Sequence, residues 1–301
     1  MIQAVETYLT MRRAVGFELL NADYLLRSFA RFAATRCETN VRIATAIDWA
    51  SQSAAVAQRD ERLKTICRFV RYTRAEDDRH ELPPSNHFGY RKTRRIPHIY
   101  SNAEIRLLMG AALQLKPADA LRPQSYATLI GLLAATGLRI SEALALQFPD
   151  ITADGLLIRK TKFQKTRLVP LHDTARLAVD HYVARRRKTR SNGSHVFIRD
   201  DGGPLLYWEV HATFLKLLKM SDLLPPTGRR PRLHELRHTL AVRALEASPA
   251  GRQRIGQHML ALATYMGHAN ICDTYWYLET TPELLRDVAD AGEAFYCGGQ
   301  P

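Results

Sequence analysis

Apolar residues recur at helical spacing along most of the chain. Ile2, Val5, Tyr8 and Leu9 share one helical face before Gly16 and Phe17 break the pattern. Asn21 is the expected N-cap of a second helix carrying Leu25, Phe29 and Phe32 at i, i+4, i+7 spacing. A third short helix is expected around Ile47 and Trp49. A fourth, from about Asp60 to Arg74, turns Leu63, Ile66, Cys67 and Val70 inward and Arg62, Arg68, Arg71 and Arg74 outward. Aromatic and aliphatic side chains at these intervals build a core rather than a ligand pocket.

Residues 82–98 lose the apolar period. Pro83, Pro84, Gly89 and Pro97 frame a basic cluster, Arg91, Lys92, Arg94 and Arg95, as expected of an interdomain linker that could also contact phosphates. A helical N-terminal domain over 1–81 and a second domain over 99–301 follow from this division. The second domain opens with a capping-box pattern at Ser101–Glu104, ahead of Ile105, Leu107 and Leu108. Ser125 to Thr136 is expected as a buried helix stopped by Gly137. Leu156–Ile158 and Arg167–Val169 flank a polar turn and suggest a β-hairpin. Helical patterns resume at Asp173, with breaks near Ser191–Gly193 and near Pro225. The expected fold is mainly α with a small hairpin sheet.

Composition narrows the partner. The 301 residues carry 43 Lys plus Arg against 30 Asp plus Glu, a formal charge of +13, and 46% of them are hydrophobic. A packed core is therefore expected, and the excess charge points to a polyanion, of which nucleic acid is the commonest. No apolar run approaches the ~20 residues needed to span a bilayer, and the N-terminus lacks the pattern of a signal peptide. Cys37, Cys67, Cys272 and Cys297 are scattered, fitting free thiols in a reducing cytosol. Neither a metal-ligand spacing nor a phosphate-binding glycine loop is present, so no metal and no cofactor are expected.

Five segments carry candidate chemistry: Thr136-Gly137-Leu138-Arg139-Ile140-Ser141-Glu142; the hairpin turn from Thr161 to Arg167; Leu233-His234-Glu235-Leu236-Arg237-His238; Met266-Gly267-His268; and Tyr277, nine residues past that histidine. Each alone is weak. A single arginine is more often a surface ion-pair partner, and a single tyrosine on an apolar helix face a core residue. What chance does not explain is the ordered series of Arg, Lys, His-x-x-Arg, Gly-His and Tyr.

That series resembles the catalytic motifs of the tyrosine recombinase, or phage integrase, family, with its Xer-, lambda-integrase- and Cre-like members. The resemblance covers most of residues 100 to 285. It implies an N-terminal helical core-binding (SAM-like) domain and an integrase-type catalytic domain. Position by position, Arg139 matches the first catalytic arginine, Lys162 the hairpin lysine, His234 and Arg237 the His-x-x-Arg pair, His268 the histidine-or-tryptophan position and Tyr277 the nucleophile. The following Arg167-Leu168-Val169-Pro170 favours Lys162 over Lys165, and the spacing from His268 favours Tyr277 over Tyr275. His238 is expected to be structural. The stretch between Arg237 and His268, longer than in Xer-like members, and Tyr275-Trp276-Tyr277-Leu278 look more like transposon-borne members.

The resemblance implies a cytoplasmic enzyme, nucleoid-associated when on DNA, that cuts and rejoins duplex DNA at a specific site through a 3′-phosphotyrosyl bond. It also implies assembly as a homotetramer on two sites, with other recombinases or accessory proteins as further partners and no membrane. In that assembly an apolar stripe of Leu284, Leu285, Val288 and Phe295 would dock on a neighbouring subunit. Candidate DNA contacts are Arg91, Lys92, Arg94, Arg95, Lys165 and the run Arg229, Arg230 and Arg232 just ahead of His234. Arg185–Lys188 is expected to be a solvated helix end. Rival readings are a catalytically silent DNA-binding accessory protein, a type IB topoisomerase-like relaxing enzyme and an RNA-binding structural protein.

Overall fold

The computed structural model describes residues 1–91, 95–118, 120–159, 166–189, 191, 193–225, 227–247, 252–267, 274 and 293. The chain divides into two compact units, Met1–Arg95 and Ile96–Pro301.

The N-terminal unit consists of α1 (Ile2–Ala14), α2 (Leu20–Ala34), α3 (Ile43–Ser51) and α4 (Val56–Thr73). Val5, Tyr8 and Leu9 of α1 are buried as their spacing predicts, against Leu26, Phe29, Trp49, Leu63, Ile66 and Val70. Two helix starts differ from the sequence expectation. Leu19, with φ of 53°, occupies the cap of α2, and Asn21 lies inside the first turn. The bonds there come from the backbone, with the Asp23 N–H donating to the Leu19 carbonyl at 2.8 Å. The fourth helix starts at Val56 rather than near Asp60, because the residues of its first turn expose their side chains and so carry no apolar signature. Leu82 and Phe88 pack against this core, and the Cys67 thiol donates to the Pro83 carbonyl.

The second unit begins with α5 (Asn102–Leu113), whose capping box is formed. Glu104 N–H donates to Ser101 Oγ at 3.1 Å, and Ser101 N–H donates to Glu104 Oε2 at 2.6 Å. Next comes α6 (Arg122–Thr136), apolar nearly all round and accordingly enclosed by its neighbours. Its residues Leu129, Ile130, Leu132 and Leu133 are buried, each such side chain contributing about 1.5–3 kcal/mol of transfer free energy. The Gly137 C-cap, at φ of 59°, stops it. A short α7 (Ile140–Leu144) follows. Then a three-stranded antiparallel sheet runs in the order β1 (Ile151–Thr152), β2 (Gly155–Ile158), β3 (Arg167–Val169), pairing Leu156 with Val169 and Ile158 with Arg167. The remaining helices are α8 (Asp173–Arg186), α9 (Tyr207–Met220), α10 (Glu235–Glu246) and α11 (Arg252–Met266).

The α6 helix packs on α5, α8 and α10, which places it at the centre of the unit. A second cluster of Ala241, Val242, Leu245, Met259, Leu262 and Met266 fastens α11 to α10. Arg186 departs from the expected solvated helix end. It is buried, its guanidinium donates to Thr189 Oγ1 at 3.0 Å and the Gly193 carbonyl at 2.9 Å, and it stacks over Phe148. Periodicity could not show this, since the partners come from the turn after the helix. Among the described residues no helix is long and apolar enough to cross a membrane.

Candidate active site

The site is assembled around the C-terminal end of α11. A helix end presents unpaired carbonyls and partial negative charge, which cations complement. Here three arginines from three separate elements read three successive carbonyls. Arg167 Nε donates to Tyr265 O at 3.0 Å, Arg237 Nη2 to Met266 O at 2.5 Å, and Arg139 Nη2 to Gly267 O at 3.1 Å.

Arg139 is the N-cap of α7, directly after the Gly137 turn that ends α6. Glu142, one helical turn on, reaches back to it. The Arg139 N–H donates to Glu142 Oε2 at 3.0 Å and Arg139 Nη1 donates to Oε1 at 2.8 Å. The Arg139 side chain keeps 27% of its surface open.

Arg237 lies one turn into α10 and is buried, with Nη1 donating to the Gly137 carbonyl at 2.5 Å. The glycine is required there. Its backbone is left-handed, and a Cβ would stand 2.8 Å from Leu240 Cδ2 and 3.2 Å from Met266 Sδ. The two arginines are thus tied to the same turn and the same helix end.

His234 heads α10. Although the residue keeps exposed surface, the protein surrounding its ring, and then the charges of Arg237 and Arg139, push its pKa below the ordinary histidine value. The imidazole is therefore neutral at neutral pH and able to accept a proton. His238, half-buried one turn further along α10, meets it edge to face with 5.0 Å between centroids.

Two site residues carried no assigned role in the sequence reading. Glu142, only 6% exposed at its side chain, takes a two-pronged ion pair from Arg167 at 3.0 and 2.7 Å in addition to its bonds from Arg139. Burial by itself would raise the carboxyl, but these hydrogen bonds and charges outweigh it and hold the pKa at about 2. Arg167 served in the sequence only as a landmark for Lys162. The one available signal was a glutamate three residues after Arg139 in a short helix, a spacing that is uninformative without burial.

Of the candidate residues, Arg139, His234 and Arg237 are brought together. Lys162, His268 and Tyr277 lie outside the described residues, as do Lys92, Arg94 and Lys165. Arg229, Arg230 and Arg232 are exposed in the segment leading into His234, and Arg91 is exposed as well. Among the bonds that fasten that segment, the Arg232 N–H donates to Glu235 Oε2 at 2.7 Å, and its carbonyl accepts from the Tyr100 hydroxyl at 3.1 Å.

A helical unit with a small antiparallel sheet, in which arginines from the α6–α7 turn and from a His-x-x-Arg helix converge beside a neutral histidine, defines a tyrosine-recombinase fold. The phage integrase family profile matches residues 101–283, and the chain belongs to this family of site-specific recombinases, which cleave and rejoin DNA. It is 34% identical over 297 residues to y4rB of Sinorhizobium fredii (strain NBRC 101917 / NGR234), named as an integrase/recombinase, with 95% of each chain covered. Two solved structures share the fold. The Tn1549 transposon integrase in complex with transposon right end DNA has a TM-score of 0.66 at 18% identity, covering 96% of this chain and 98% of that one. A lambda integrase dimer bound to a COC′ core site has a TM-score of 0.62 at 18% identity, covering 90% and 96%.

Proposed function

We propose that the chain recombines DNA through a covalent bond to Tyr277, with Arg139 and Arg237 clamping the scissile phosphate. The observation that carries this reading is the convergence of those two guanidiniums on the end of α11, with Arg237 also bonded to the Gly137 turn and His234 alongside. Negative charge grows on the nonbridging phosphate oxygens as a fifth oxygen attacks. Preorganised guanidiniums offset it better than flexible ammonium groups do.

In the proposed step the Tyr277 oxygen attacks phosphorus while its proton passes to His234, since a phenol with a pKa of ~10 is a weak nucleophile unaided. The bond from phosphorus to the 5′-oxygen breaks, and that oxygen takes a proton from Lys162. His268 donates a further hydrogen bond to the phosphate. The 3′-phosphotyrosyl bond retains the energy of the phosphodiester, so attack by a new 5′-hydroxyl reverses the step without nucleotide hydrolysis.

On this reading the N-terminal helical domain, residues 1–81, and the basic linker, 82–98, hold the duplex. Arg91, Lys92, Arg94, Arg95, Lys165, Arg229, Arg230 and Arg232 contact its backbone. The working form is a homotetramer on two sites, in the cytoplasm, serving integration, excision or transposition of a mobile element. The likeness to a transposon integrase on transposon-end DNA and to an integrase dimer on its core site supports this reading.

The test uses suicide duplexes nicked near candidate sites in DNA flanking the gene, resolved on denaturing gels. The wild-type chain should form a protein–DNA adduct that Tyr277→Phe abolishes and Tyr275→Phe retains. An adduct persisting in Tyr277→Phe would refute the assignment of the nucleophile, and tight specific binding with no adduct would favour a silent accessory protein.

A further inference from the structure

Arg167 has no part in the phosphate chemistry above, yet its guanidinium is tied into the site on every side. Its side chain is 11% exposed, and each of its three nitrogens has a protein partner. Nη1 and Nη2 form a fork on the two oxygens of Glu142, while Nε donates to the Tyr265 carbonyl. Glu142 Oε1 accepts from Arg167 Nη1 and from Arg139 Nη1 together, so one carboxylate oxygen joins two guanidiniums. Gly267, with φ of 66°, lies against Arg167 so closely that a Cβ would stand 2.6 Å from Nη1 and 2.9 Å from Cζ. The Gly267 carbonyl, on the same residue, accepts from Arg139. A closed circuit results: Arg167 to Glu142, Glu142 to Arg139, Arg139 to Gly267, and Gly267 back against Arg167.

We propose that Arg167 is a positioning residue which, through Glu142 on one side and the Tyr265–Gly267 turn on the other, holds the Arg139 guanidinium where the scissile phosphate needs it. Only a planar, forked cation closes this circuit, because the two oxygens of Glu142 and the Tyr265 carbonyl must be met at once in fixed directions. A lysine at 167 carries the charge but offers a single nitrogen, so it can hold the carboxylate or the turn and not both. Arg167 also opens β3, so that strand is anchored directly to the proposed phosphate clamp.

The inference rests on the reading of Arg139 as a phosphate clamp, and the test separates the two. Single-turnover cleavage of a suicide duplex is measured for the full chain as wild type, Arg167→Lys and Arg167→Gln, with DNA affinity measured in parallel. Both variants should bind DNA as wild type does and cleave about 10–100-fold more slowly, the scale of a displaced catalytic group. The same comparison is then made with a methylphosphonate at the scissile position, which has no anionic oxygen for Arg139 to neutralise. There the gap between wild type and variants should close to about threefold or less, because the interaction being misplaced no longer matters to the transition state.

An equal penalty on both substrates would assign Arg167 a purely structural role and overturn the proposal. So would full activity of Arg167→Lys. Should Arg167→Gln fail to fold, Glu142→Gln, which breaks the same circuit with an isosteric side chain, gives the same comparison. Absence of a Tyr277 adduct with the wild type would sink the reading of the whole site. Wild-type cleavage matched by every Arg167 variant would sink this inference alone.

Discussion

Replacing Gly137 by alanine adds one methyl group at the point where helix packing and the proposed phosphate clamp meet. The backbone there has φ of 59°, and the left-handed region costs an L side chain about 1–2 kcal/mol. The new Cβ would stand 2.8 Å from Leu240 Cδ2 and 3.2 Å from Met266 Sδ. Met266 belongs to the packed α10–α11 cluster, with Leu240 against it, and overfilling such a site adds about 1–3 kcal/mol. Together these predict a loss of about 2–5 kcal/mol, or a midpoint lower by roughly 5–15 °C for a unit of this size.

Activity should fall even where the protein stays folded, because the Gly137 carbonyl accepts Arg237 Nη1. Moving that carbonyl moves a buried guanidinium, and cleavage measured well below the melting point should drop about 10–100-fold. Gly110→Ala is the control. It lies inside α5 with nothing within 4 Å of its would-be Cβ, and should be neutral or stabilising by up to about 1 kcal/mol. Urea and thermal unfolding with single-turnover cleavage would read both variants. If Gly137→Ala melts and cleaves like Gly110→Ala, the reasoning from backbone conformation and packing fails.

Glu142 is held at about 2, below its ordinary 4.5, so its contribution is complete above about pH 4.5 and drains away as pH falls toward 2. Glu142→Gln should therefore cost on the order of 3 kcal/mol at pH 7 and progressively less below pH 4.5. Urea titrations of both proteins at pH 7 and pH 4 check this, and a gap that does not shrink at the lower pH would contradict it. The exposed Arg229, Arg230 and Arg232 should contact phosphates ahead of His234. Their triple alanine variant should lower the slope of log affinity against log salt by up to about 3, measured by fluorescence anisotropy on duplex DNA. An unchanged slope would remove that segment from the DNA-binding surface.

The elements most legible in the sequence were those whose chemistry is local. The Ser101–Glu104 box and the Gly137 stop depend on residues a turn apart, and both form as read. Asn21 shows the limit. It has the chemistry of a cap, but the chain turns into the helix two residues earlier through Leu19, which no propensity favours. Motif order brought Arg139, His234 and Arg237 forward, yet it was silent on how they are held. Their partners are mostly backbone carbonyls, and every sequence supplies those everywhere. Glu142 and Arg167 are 25 residues apart and become a pair only when β3 meets α7, so neither periodicity nor spacing could join them. Arg186 was misjudged for the same reason, its burial being decided by carbonyl and hydroxyl groups in the turn beyond the helix.

The ties that orient Arg139 and Arg237 span long stretches of chain: 100 residues from Arg237 to Gly137 and 128 from Arg139 to Gly267. On the ribosome, which emits about 5–20 residues each second, the N-terminal unit is complete and free to fold well before α11 exists. Until α11 emerges, Arg139 lacks the Gly267 carbonyl and Arg237 the Met266 carbonyl, and the entropy of closing those loops has no return. A nascent chain that stops short of α11 therefore carries both arginines without the helix end that their guanidiniums meet in the folded protein.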